Sequence, residues 1–128
     1  MRLLLDTHTL IWWMTEDTRL SKSANALIEQ KNNAPVASVA SAWEIATKVR
    51  LGRLPTAAHL AQNFVTDLTR EGIEILPISA THGILAGSLP GPHKDPFDRM
   101  LLAQALIENV AIVSNDKALD GYHVKRIW

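Results

Sequence analysis

Leu3-Leu4-Leu5-Asp6, near the start of the chain, and Ala111-Ile112-Val113-Ser114-Asn115-Asp116, near its end, share one pattern. Each is a short run of apolar residues closed by an acid. Runs this short and wholly apolar read as strands buried on both faces. Such strands belong to parallel sheets covered by helices. Pro35 to Val39 and Ile73 to Ile78 read as two more strands, and Val124 to Trp128 as a last one. Between them lie helical stretches: Thr7 to Met14, Ser21 or Ser23 to about Gln30, Ser41 to Gly52, His59 to Arg70, Thr81 to Ala86, and Asp95 to about Glu108. Ala24, Leu27 and Ile28 give the second of these an apolar side. Residues 87–92, rich in Gly and Pro, read as a loop. Strands alternating with helices predict an α/β fold with a short, mainly parallel central sheet.

Composition narrows the class. The 128 residues match one domain, predicted over 1–128, and a hydrophobic fraction of 47% is ample for its core. No apolar run approaches the ~20 residues of a bilayer span, so no membrane association is expected. Arg2 followed by three leucines and an acid does not make a signal peptide. The chain has no cysteine, which rules out disulfides and thiolate metal sites and is compatible with the expected cytoplasmic location. Thirteen basic and thirteen acidic residues balance to zero net charge. A nonspecific nucleic-acid coat would be basic, but a nucleic-acid enzyme is still allowed.

Four acids, Asp6, Glu44, Asp98 and Asp116, sit where strands or helices begin or end. In a parallel sheet the carboxyl ends of the strands share the edge at which ligands bind. Acids brought there from distant segments repel unless a cation neutralises them. Hard oxygen donors suit Mg²⁺ or Mn²⁺. Each acid also has a local explanation. Asp6 can cap the following helix. Glu44 can be the capping-box partner of Ser41, in a helix whose first turn would hold both. Asp98 can favour the positive end of a helix that opens at Asp95-Pro96. Asp116 can be a turn residue. Asp95 is assigned to the cap.

Other residues carry weaker signals. The five histidines include no i, i+4 pair, which disfavours zinc, and His93 reads as a surface residue of the Gly/Pro loop. Lys48, Arg50 and Arg53 form one basic group, and Lys94 and Arg99 flank the acids Asp95 and Asp98. Lys48 and Arg99 are candidate contacts to substrate phosphates. Trp12 and Trp13 cannot share a helix face, so one is expected in the core and the other at the surface. Trp43 is expected in the core.

Leu3-Leu4-Leu5-Asp6-Thr7-His8, the segment from Val39 through Ser41, Trp43 and Glu44 to Lys48, and His93-Lys94-Asp95-Pro96-Phe97-Asp98-Arg99-Met100-Leu101-Leu102-Ala103-Gln104-Ala105 together resemble PIN-domain proteins, in particular the VapC-like toxins. Val113-Ser114-Asn115-Asp116 is similar to the last acidic motif of that family. The resemblance spans essentially the whole chain. It implies a three-layer α/β/α sandwich and an endoribonuclease dependent on Mg²⁺ or Mn²⁺. By position it places the acidic quartet on Asp6, Glu44, Asp98 and Asp116, as metal ligands and catalytic residues, with Ser114 and Asn115 in support. It also implies RNA as substrate, a cognate antitoxin as partner, and a homodimer. Three rivals stand beside it. A haloacid-dehalogenase-like phosphatase needs a second Asp two residues after the first, where this chain has His8. A receiver domain needs an Asp closing the third strand, where this chain has Leu76-Pro77-Ile78-Ser79. In a non-catalytic binding module the acids would only cap helices.

Overall fold

The computed structural model describes residues 1–128. Five parallel strands form one sheet in the order β3-β2-β1-β4-β5. They are β1 (Arg2–Leu5), β2 (Ala34–Ser38), β3 (Glu74–Leu76), β4 (Ala111–Val113) and β5 (Arg126–Ile127). The helices are α1 (Thr7–Met14), α2 (Lys22–Glu29), α3 (Val39–Arg50), α4 (Ala58–Arg70), α5 (Ala80–Ser88) and α6 (Pro96–Glu108). Short 3-10 turns cover Pro55–Ala57 and Lys117–Tyr122. A receiver-type sheet runs 2-1-3-4-5, so the strand order argues against that rival. No helix is long and apolar enough to cross a membrane.

The apolar triplets make three layers because side chains alternate across a sheet. Leu3, Leu5, Ala37, Ala111 and Val113 point to one face and pack with Leu10, Ile11, Ile28, Phe64 and Leu68 from α1, α2 and α4. Leu4, Val36, Leu76 and Ile112 point to the other and pack with Leu101, Leu102 and Ala105 of α6. Leu4 lies in register with Val36 on one side and Ile112 on the other, and is wholly buried. Truncating such a residue to Ala costs about 2–5 kcal/mol.

The β2–α3 boundary departs from expectation. The strand stops at Ser38, whose Oγ accepts a hydrogen bond from Ala40 N at 2.9 Å and caps α3. Ser41 is therefore inside the helix and no capping box exists there. Its buried hydroxyl meets Thr7 Oγ1 at 3.0 Å instead. Glu44 lies in the second turn, not the first. The earlier start also turns Trp43 outward. It is 61% exposed and stacks edge-on against Phe97, ring centroids 4.9 Å apart, so the expected core placement is corrected. Trp12 is in the core, and Trp13 is half-buried against it rather than exposed.

Candidate active site

The chain leaves β1 in one direction through β2 to β3, and β4 and β5 lie on the other side. This reversal opens a crevice at the carboxyl ends of β1 and β4. A cavity of about 530 Å³ occupies it, with no hydrophobic residue in its wall. Asp6, Glu44, Asp98 and Asp116 all line it, together with Asp95, Asn115 and the lysines Lys48 and Lys117. Residues as far apart as Asp6 and Lys117 thus share one polar pocket, as the edge argument requires.

Capping and service in the cavity are not rivals here. Asp6 Oδ1 accepts from Thr9 N at 2.8 Å and caps α1. Its backbone N donates to Val113 O at 3.1 Å, and Thr9 Oγ1 donates to the same carbonyl at 3.0 Å. These bonds fix the carboxylate between β1 and β4. Asp116 Oδ1 accepts from Ala118 N at 3.0 Å. Ser114, fully buried, accepts from Asp116 N through Oγ at 3.0 Å and so sets the turn that presents the acid. In each case one carboxylate oxygen is used locally and the second remains for the cavity. Asp95 is the cap of α6, with Oδ1 accepting from Phe97 N at 2.8 Å and Asp98 N at 3.1 Å.

Glu44 is 3% exposed. Its Oε2 pairs with Lys48 one turn along α3. Its Oε1 is buried with no hydrogen-bond partner. An orphaned carboxylate oxygen is costly in a buried setting. Asp98 feels the crowding most. Burial first, then the neighbouring charges of Asp95, Glu44 and Asp6, push its carboxyl up to about 7, and His93 only partly opposes them.

A PIN domain family model matches residues 3–124. The chain belongs to the PIN domain family. It is 31% identical to "Ribonuclease VapC22" from Mycobacterium tuberculosis (strain ATCC 25618 / H37Rv), over 98% of this chain and 97% of that one. In fold this PIN domain is similar to the structure described as VapBC2 from Rickettsia felis bound to a promoter DNA fragment, at TM-score 0.71 and 18% identity, over 99% of this chain and 98% of that one. It is similar also to a toxin-antitoxin complex from Klebsiella pneumoniae, at TM-score 0.67 and 18% identity, over 98% and 96% of the two chains. The three-layer α/β/α sandwich is therefore the PIN fold.

Two expectations change within this PIN domain. Arg99, expected to face substrate phosphate, does not line the acidic cavity. Its guanidinium donates to Ala86 O at 2.9 Å, His93 O at 2.9 Å and Leu89 O. It ties the 89–95 loop to α5 and α6, because a partly buried fork of donors finds these carbonyls within reach. His93 is not a free surface residue. Its side chain is 14% exposed, and Nε2 lies 3.4 Å from Asp98 Oδ2 and 3.5 Å from Asp116 Oδ2. Its position just before the helix cap Asp95 is the trace of this in the sequence.

Proposed function

We propose that this PIN domain is a divalent-metal-dependent endoribonuclease of the cytoplasm, the toxin of a type II toxin–antitoxin pair, and that it hydrolyses RNA phosphodiester bonds. The observation that carries the reading is the buried, unpartnered Oε1 of Glu44 in a cavity shared with Asp6, Asp98 and Asp116. Burial first, and then the neighbouring carboxylates, push Asp98 up to about 7, and a cation would offset both. Likeness to a protein named a ribonuclease supports the substrate class, and likeness in fold to toxin-antitoxin assemblies supports an antitoxin partner.

The donor set fits Mg²⁺ or Mn²⁺, which Asp6, Glu44, Asp98 and Asp116 would hold through oxygen. When bound, such an ion supplies Lewis acidity at the scissile phosphate and makes water a better nucleophile. The chain's own residues do the rest. Asp6 and Asp116 are held rigid by their capping bonds, so their free oxygens need no reorganisation. Lys48 keeps one oxygen of Glu44 occupied and leaves the other, buried, without a partner. Lys48 and Lys117 supply the positive charge at the rim that an RNA backbone needs. Ser114 and Asn115 shape the turn below Asp116. A phosphatase of the haloacid-dehalogenase type is disfavoured, since exposed His8 stands where its second Asp belongs.

A homodimer completes the proposal. Trp43 and Phe97 immediately precede Glu44 and Asp98, and with Ile78 they line a small, largely apolar groove. A second copy seated there would withdraw the most exposed tryptophan from water and set two acidic cavities side by side.

Cleavage of single-stranded RNA by rigorously purified protein tests the activity. Cutting is expected with Mg²⁺ or Mn²⁺ and not with EDTA, and Asp98→Ala is expected to be inert. Undiminished cutting in EDTA, or by the variant, refutes the mechanism.

A further inference from the structure

The acidic quartet leaves one residue beside the cavity unexplained, His93, which touches Asp98 and Asp116 without lining the cavity itself. His93 arrives from the Gly/Pro loop, not from the sheet, and is steered from both ends of its own peptide. Its N–H donates to the hydroxyl of buried Tyr122 at 2.7 Å, and its carbonyl accepts from Arg99 Nη1 at 2.9 Å. The loop is pressed onto Tyr122 closely enough that a Cβ at Gly91 (φ +122°) would lie 2.5 Å from the Tyr122 hydroxyl. This is considerable construction for a surface histidine.

What it achieves is the placing of one nitrogen beside two oxygens. Nε2 of His93 and one oxygen each of Asp98 and Asp116 lie within 4.8 Å of one another. The separations of 3.4 and 3.5 Å from Nε2 are too long for good hydrogen bonds. They match the ligand–ligand edge of a four-coordinate ion, about 3.4 Å for metal–ligand distances near 2.1 Å. The orphaned Oε1 of Glu44, a residue that lines the acidic cavity together with Asp98 and Asp116, is an independent sign that a cation is wanted beside these carboxylates.

We propose that His93 donates Nε2 to the cation held by Asp98 and Asp116, and that this nitrogen makes the centre prefer transition-metal ions such as Zn²⁺ to Mg²⁺. The inference rests on the reading of the cavity as a metal centre. Its physical basis is ligand type. Imidazole suits zinc and its first-row neighbours, whereas Mg²⁺ keeps to oxygen and dehydrates reluctantly. The expectation that scattered histidines disfavour zinc treated spacing along the helix as the test. Here the three donors come from a loop, a helix and a turn. His93 thus acts as the selectivity residue of a centre whose other ligands are hard oxygens.

The test uses the full chain and metals alone. Zn²⁺ and Mg²⁺ affinities are measured by competition with a chromophoric chelator and by calorimetry, for the native protein and His93→Ala. Zn²⁺ affinity is expected to fall by at least about tenfold, the low end of what even an outer-shell partner costs. Mg²⁺ affinity is expected to change by less than about threefold, since Mg²⁺ binds through oxygen and water. On the native protein, which avoids any folding defect of the variant, one equivalent of Zn²⁺ should shift the His93 ring-nitrogen resonance. Equal losses for both metals, or a Zn²⁺ titration that leaves the His93 resonance unmoved, overturn the proposal. Mg²⁺-dependent RNA cleavage in that event leaves the nuclease reading intact. A His93-dependent Zn²⁺ site in a protein that cuts no RNA upholds this inference and removes the other.

Discussion

Replacing Asp98 with Asn should stabilise the metal-free protein, and increasingly so as pH rises. The Asp98 carboxyl moves from an ordinary 3.8 to about 7, first through burial and then through Asp95, Glu44 and Asp6. A raised carboxyl means that the folded state holds its proton more tightly than the unfolded state does. Its stabilising contribution is complete below pH 3.8 and is lost as pH rises through about 7. About 3 pH units at ~1.4 kcal/mol each give ~4 kcal/mol. The side chain is 32% exposed, and solvent screening reduces this to ~2 kcal/mol. Losing a negative charge in the first turn of α6 removes ~0.3–1 kcal/mol. The net gain for Asp98→Asn is thus ~1–1.7 kcal/mol at pH 8, or roughly 3–8 °C in Tm for a domain of this size. Near pH 4 the gain should vanish. Thermal melts of both proteins in EDTA between pH 4 and 8 measure it. A variant that melts lower at pH 8, or a difference independent of pH, would show that Asp98 is structural and that the reasoning from mutual repulsion is wrong.

Asp6→Asn should abolish metal-dependent RNA cleavage while the circular dichroism stays native, because Asn still caps α1 and only the anionic ligand is lost; wild-type cutting would reduce Asp6 to a cap. Arg99→Ala should cost ~2–4 kcal/mol in denaturant titrations, since the carbonyls of Ala86 in α5 and of Leu89 and His93 in the loop lose a charged donor, and a neutral result would mean the loop is held by Tyr122 alone. Trp43→Glu should yield a monomer by light scattering with RNA cleavage reduced, and an unchanged dimer would place the second copy elsewhere. An arginine in the inhibitory segment of the antitoxin should neutralise the acidic cavity, pairing two carboxylate oxygens at once. Its replacement by Ala should restore cleavage more than it weakens the complex, and proportional losses would mean the antitoxin merely covers the cavity.

The strands were legible because Leu3-Leu4-Leu5 and Ala111-Ile112-Val113 have no polar face, which only a sheet covered on both sides tolerates. Asp95-Pro96 was legible because cap and ring act within three residues. The start of α3 was not. Ser38 and Ser41 are both competent caps, and what decides between them is the Thr7 hydroxyl, 34 positions away. Glu44 and Trp43 moved with that choice. Setting cap against ligand at Asp6 and Asp116 was a false opposition, because a carboxylate has two oxygens and a cap uses one. Arg99 was misplaced because charge beside charge suggests a phosphate, while the carbonyls of Ala86 and Leu89 come close only once the loop has folded. His93 could not be placed without Tyr122, which follows it by 29 positions.

The arrangement β3-β2-β1-β4-β5 bears on the timing of activity. The place beside β1 on the side away from β2 is filled by β4, which is made after β1, β2, β3 and all six helices. Until then Asp6, Glu44 and Asp98 exist in the growing polypeptide, but the wall that bears Asp116 does not, and Leu5 has no neighbour on that side. On the proposed role of Asp116, a nascent fragment that stops before β4 lacks a complete site, and the capacity to cut waits for that strand to pair with β1. Under the proposed toxin role, that delay gives a co-produced inhibitor a head start.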